Sequence, residues 1–121
     1  MGTVLVVEDS LTDMQILIQC LQQGGINVLV AQSGEEAINA VTQQKPDVVI
    51  LDVVLPGRSG FEVCRQLKAE ASTSNIPIVI CSTKGSEMDR FWGMKQGADA
   101  YLAKPIDQDE LVRTVRQLIP H

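Results

Sequence analysis

Residues 48–52 read V-V-I-L-D, an aliphatic, β-branched run that closes on an acid and is followed by V-V-L-P-G at 53–57. A short apolar run without polar alternation is what a strand buried on both faces looks like. Working outward, similar runs stand at T-V-L-V-V from Thr3, N-V-L-V-A from Asn27, P-I-V-I-C from Pro77 and D-A-Y-L-A from Asp99. The first four in chain order barely alternate, so each is expected to be covered on both faces. The segments between them carry helical spacing instead. Met14, Leu17, Ile18 and Leu21 fall at i, i+3, i+4 and i+7. Ala37, Ala40 and Val41 repeat the pattern, as do Met88, Phe91 and Trp92, and then Leu111, Val112, Val115, Leu118 and Ile119.

Each helical segment opens on a capping pair: Ser10 with Asp13, Ser33 with Glu36, Ser59 with Glu62, Ser86 with Asp89, and Asp107 with Glu110. A side-chain oxygen at the first position can accept from the N–H three residues on, which otherwise lacks a partner. Stops follow at Gly24-Gly25, Lys45-Pro46 and Gly97. Alternating strand and helix units imply a parallel sheet with helices on both faces. With 121 residues the chain fits one three-layer, doubly wound α/β domain; a (βα)₈ barrel needs about twice that length.

Composition narrows the function. Ten Lys and Arg against 15 Asp and Glu leave a net charge of −5, the wrong sign for a nucleic-acid binder. Cys20, Cys64 and Cys81 lie in apolar stretches without a C-x-x-C pair, so they read as buried small hydrophobes. His121 is the single histidine and stands at the terminus, which removes a histidine metal site or a Ser-His-Asp triad. No signal peptide is visible, and no apolar run approaches the ~18 residues of a membrane span. The expected setting is cytoplasmic, with no membrane insertion.

In a sheet of this kind ligands bind beyond the carboxyl ends of the strands. There the sequence places Glu8-Asp9, Asp52, Ser82-Thr83 and Lys104-Pro105. Three carboxylates close together repel one another and favour a hard divalent cation with oxygen ligands, Mg²⁺ above all. A divalent ion beside a carboxylate, with a lysine and a hydroxyl opposite, suits phosphoryl transfer, and Asp52 is the expected nucleophile. V-E-D-S stands after the first strand where a nucleotide-binding chain needs a Gly-rich loop. Ser82 has neither a histidine base nor a G-x-S-x-G setting.

V-E-D-S at 7–10, L-D-V-V-L-P-G at 51–57, I-C-S-T-K at 80–84 and G-A-D-A-Y-L-A-K-P at 97–105 together resemble the receiver domain of bacterial response regulators, from Thr3 to Ile119. The resemblance implies a flavodoxin-like sheet of order 2-1-3-4-5 with five helices, and one receiver domain over 1–121. It makes Asp52 the acceptor of a phosphoryl group from a histidine kinase or phosphotransfer protein. It gives Mg²⁺ the ligands Glu8, Asp9, Asp52 and the backbone carbonyl of Val54. Lys104 would pair with the phosphoryl oxygens, with its bond to Pro105 cis. Ser82 and an inward-turning Tyr101 would form the switch. The resemblance also implies catalysis of nothing beyond the chain's own phosphorylation and dephosphorylation.

Departures from the family pattern fall beside the acceptor. Glu8 lengthens one ligand arm, and Thr83 narrows access where a smaller residue is usual. Val54 and Lys84 occupy the variable positions that flank the path of attacking water, so a slow loss of phosphate is expected. No output domain is expected, and a start at Met1 with a polar end at Pro120-His121 favours a complete protein over a domain excised from a longer one. Output would then pass through the face of the fourth helix, fifth strand and fifth helix. The segment D-R-F-W-G-M-K-Q-G-A, with Arg90, Trp92 and Lys95, looks like single-domain regulators of twitching motility, the PilH-like type, more than the flagellar CheY-like type. Two rival readings are a phosphorylation-independent pseudo-receiver scaffold and a Mg²⁺-dependent aspartyl-nucleophile phosphatase. The phosphatase pattern D-x-D-x-[TV] is broken by Val54.

Overall fold

The computed structural model describes residues 2–120. Strands and helices alternate without exception: β1 (Thr3–Val7), α1 (Leu11–Gln23), β2 (Asn27–Ala31), α2 (Gly34–Gln44), β3 (Val48–Leu51), α3 (Gly60–Ala69), β4 (Ile78–Ser82), α4 (Glu87–Lys95), β5 (Ala100–Ala103) and α5 (Gln108–Leu118). The five strands form one parallel sheet in the order β2-β1-β3-β4-β5. All five predicted caps form, with the N–H three residues on donating to Ser10, Ser33, Ser59, Ser86 or Asp107 at 3.0–3.3 Å. Only Ser86 and Asp89 complete the reciprocal pair.

Strand pleating sorts the core into two compartments. Val4, Val6, Val48, Ile50, Val79 and Cys81 pack under α1 and α5, against Met14, Leu17, Leu21, Leu111 and Val115. Leu5, Val7, Val49, Leu51, Ile78 and Ile80 face the other way, onto Ala37 and Val41 of α2 and Val63, Cys64 and Leu67 of α3. The three cysteines are free and buried as expected, and burial pushes the thiols of Cys64 and Cys81 up to about 11 and about 12.

Two expectations change. Burial on both faces holds for β3 and β4 and for all of β1 but its first residue, but β2 lies at the sheet edge and leaves Val30 53% exposed. The helical spacing of Met88, Phe91 and Trp92 is real, yet their side chains are 73%, 58% and 51% exposed. In α4 only Gly93 is buried. A Cβ there would stand 2.8 Å from the Tyr101 ring and 3.1 Å from Ile80, so close approach of backbone to ring fixes this helix and turns its large apolar residues outward. Among the described residues no helix is long and apolar enough to cross a membrane.

Gly60, the first residue of α3, meets the loop after β3. Its N–H donates to the Val53 carbonyl at 2.8 Å, and an added Cβ would lie 2.0 Å from the Asp52 carbonyl oxygen. Backbone cannot yield as a flexible side chain can. Gly60→Ala is therefore expected to lower the unfolding free energy by about 1–3 kcal/mol, the usual range for overpacking. Urea denaturation measures it, and an unchanged midpoint would mean that the loop yields freely.

Candidate functional site

Parallel pairing brings the strand ends to one edge. The partners Val7 and Leu51 set Glu8 beside Asp52, whose N–H donates to the Val7 carbonyl at 3.1 Å. Ser82 pairs with Ala103, and the Lys104 N–H donates to the Ser82 carbonyl at 3.0 Å. The Lys104–Pro105 bond is cis. This edge lies where the strand order reverses between β1 and β3, the usual crevice of an open α/β sheet.

At its centre is the Lys104 ammonium. It donates to Glu8 Oε1 at 2.6 Å, Asp13 Oδ2 at 2.9 Å and Asp52 Oδ2 at 3.1 Å. Asp52 Oδ1 accepts from the Val54 N–H at 3.3 Å. Glu8 is 1% exposed, and its Oε2 is buried with no hydrogen-bond partner. Burial, reinforced by the neighbouring Asp52 carboxylate, raises the Glu8 carboxyl to about 8, against the pull of Lys104. Burial also works to raise Asp52, but the adjoining Glu8 carboxyl and the Lys104 charge outweigh it, and its carboxyl falls below the ordinary value. Lys104 moves up: burial opposes this, and the bonds to Glu8, Asp13 and Asp52 overcome it.

The rest of the predicted set is spread around this centre. Asp9 follows Glu8 on the exposed rim, as do the side chains of Val54, Thr83 and Lys84. Ser82 is fully buried, and its Oγ accepts from the Lys84 N–H at 3.2 Å. Tyr101 faces inward at 7% exposure and its hydroxyl donates to the Lys84 carbonyl. Arg90 is exposed on α4 and donates from Nη1 to the Tyr101 carbonyl at 3.1 Å, with its guanidinium 5.6 Å from the Tyr101 ring centroid. Lys95 lies 5.8 Å from the Phe91 ring centroid and remains exposed, as does Trp92.

Asp13 is the residue that sequence reasoning missed. Its capping pattern with Ser10 accounts for its backbone alone; the available signal for its carboxylate was an acid on the first turn of the helix that follows Glu8.

Among the described residues no three acidic, thiol or imidazole side chains already converge as a metal-ligand set. The carboxylates that do meet outnumber the single ammonium they share. Excess negative charge, oxygen-only donors and the unpartnered Glu8 Oε2 fit a hard divalent cation such as Mg²⁺.

Comparison with known proteins agrees with this geometry. The profile of the Response regulator receiver domain matches residues 4–116. The chain is similar to Protein PilH of Pseudomonas aeruginosa, at 43% identity over 98% of each chain. Among solved structures it is similar to chemotaxis protein CheY4 of Vibrio cholerae, at 30% identity and a TM-score of 0.90 over 98% of this chain and 99% of that one. It is also similar to the receiver domain of sensor histidine kinase PA1611 from Pseudomonas aeruginosa, which has a magnesium ion coordinated in its active site cleft. There the identity is 26% and the TM-score 0.89, over 97% of this chain and 96% of that one. Sheet order, strand-end chemistry and sequence likeness converge: the chain belongs to the response regulator receiver domain family.

Proposed function

We propose that this receiver domain is a phosphorylation-controlled switch, with Asp52 as the acceptor and a histidine kinase or histidine phosphotransfer protein as the donor. The observation that carries the reading is the Lys104 ammonium, 3.1 Å from Asp52 at the carboxyl edge of the sheet. An Asp52 oxygen forms a bond to phosphorus as the bond from phosphorus to the donor's imidazole nitrogen breaks. The nitrogen keeps the electron pair, and an acyl phosphate stands on Asp52. Glu8, Asp9, Asp52 and the Val54 carbonyl would hold Mg²⁺, which would supply positive charge against the phosphoryl oxygens.

Lys104 neutralises a further phosphoryl oxygen. The Ser82 hydroxyl, now an acceptor from Lys84, turns to donate to another. A phosphoryl group adds about −1.5 to −2 charges and three acceptors, enough to rearrange the loop that Ser82 begins. Lys84 links that loop to Tyr101, and Tyr101 meets Arg90 of α4. The change therefore reaches the face of α4, β5 and α5, where Met88, Phe91, Trp92 and Met94 are exposed for a protein target. The D-R-F-W-G-M-K-Q-G-A segment and the likeness to PilH favour a twitching motility or taxis pathway.

Intact mass after incubation with Mg²⁺ and a small acyl phosphate tests the reading. One phosphoryl group is expected on the wild type, and none on Asp52→Asn or without Mg²⁺. No modification under any donor would favour the phosphorylation-independent scaffold, while continuous turnover of the donor by Asp52 would favour the phosphatase.

Val54 and Lys84 shape the lifetime of the product. An apolar Val54 cannot orient water, and the exposed Lys84 can reach a phosphoryl oxygen. The Val54→Asn, Lys84→Glu double variant should lose its phosphate several-fold faster than the wild type. Decay at the same or a slower rate would remove these residues from lifetime control.

A further inference from the structure

Asp13 raises a question that the proposed reading does not answer. An ammonium carries three N–H donors. All three of Lys104's are already taken, by Glu8 at 2.6 Å, Asp13 at 2.9 Å and Asp52 at 3.1 Å. A phosphoryl group arriving at Asp52 brings three more acceptor oxygens. Lys104 can serve one of them only by releasing a present partner.

The three partners differ in what release involves. Glu8 is 1% exposed, so letting it go strands an acceptor in a place that already holds the unpartnered Oε2. Asp52 is the group being modified and stays at the centre. Asp13 lies on the first turn of α1 with 37% of its side chain exposed, so water can take over its carboxylate. It also lines an open cleft of about 160 Å³ together with Ile16, Leu17, Lys104, Pro105 and Ile106, which gives it room to move.

We infer that Asp13 is a positioning residue: a releasable third holder of Lys104, which keeps the ammonium aimed at Asp52 and competes with the incoming phosphoryl group for its third donor. This rests on Asp52 being the acceptor. Asp13 therefore sets the concentration at which a phosphodonor is taken up and leaves the transfer step itself largely unchanged.

The test compares wild type, Asp13→Asn and Asp13→Glu in Mg²⁺ with increasing acyl phosphate, following phosphorylated protein by intact mass. Asp13→Asn keeps the helix cap, because Ser10 accepts from the backbone N–H of Asp13. Its half-saturating donor concentration should fall about three- to tenfold, the scale of one partly exposed charged contact, with the maximal rate within about twofold. Asp13→Glu should return the curve toward wild type. Asp107→Asn is the control for net charge, since Asn caps a helix as well as Asp does; it should leave the curve in place. In Mg²⁺-free protein, the ammonium protons of Lys104 should exchange with solvent faster in Asp13→Asn than in wild type, by NMR.

An Asp13→Asn curve that overlays the wild type sinks the inference, as does an equal shift in Asp107→Asn. A fall in maximal rate at unchanged half-saturation overturns it too, because Asp13 would then be needed for the transfer step. Wild-type protein that accepts no phosphoryl group fails at the acceptor reading itself, and this inference falls with it.

Discussion

One ammonium shared by three carboxylates is the constraint around which this receiver is arranged. Lys104 at the end of β5 meets Glu8 after β1, Asp52 after β3 and Asp13 on α1. Three stretches of chain distant in sequence, around Glu8 and Asp13, Asp52, and Lys104, are thereby tied at one edge of the sheet. Removing Lys104 would leave the buried Glu8 and Asp52 without their counter-charge, which is far more destabilising than losing a surface pair. The set is also unbalanced, because the acids outnumber the base. That imbalance suits a site built to admit further positive charge and then a group that Lys104 can neutralise.

Anchoring falls away from this edge toward α4. The helices α1, α2, α3 and α5 each bury several side chains against the sheet, whereas α4 buries Gly93 alone. Its tie to the body runs through Tyr101 and Arg90, with their contacts to Lys84 and Gly85. Elements with few buried contacts open at lower free energy than those locked in a core. The helix with the weakest hold is thus the one whose attachment leads back to Ser82, through the side chains of Arg90 and Tyr101 and the main chain of Lys84.

Much of this was legible in the sequence, for identifiable reasons. Capping is local chemistry, so Ser10, Ser33, Ser59, Ser86 and Asp107 announce their helices from four-residue patterns. Strand ends are local too, which is why Glu8, Asp52, Ser82 and Lys104 group together in the sequence itself. The misreadings are tertiary in origin. β2 has the composition of a central strand, and only the strand order makes it an edge. Met88, Phe91 and Trp92 carry a core-like period, and only the Gly93–Tyr101 approach turns them outward. Asp13 looked complete as a capping residue because its backbone performs that task. Its carboxylate had a second use, 91 positions away along the chain.

The contact of Gly60 with the Asp52 carbonyl has a mechanical meaning. The main chain bearing Asp52 is braced against the start of α3, with no space for even a methyl group between them. A new charge on Asp52 therefore cannot propagate by shifting its own backbone. It would act outward through side chains that can turn, Ser82 and Tyr101 among them. On the proposed reading this bracing would give the domain a direction: a change at the acid would be felt on the β4–α4 side and not on the floor beneath it.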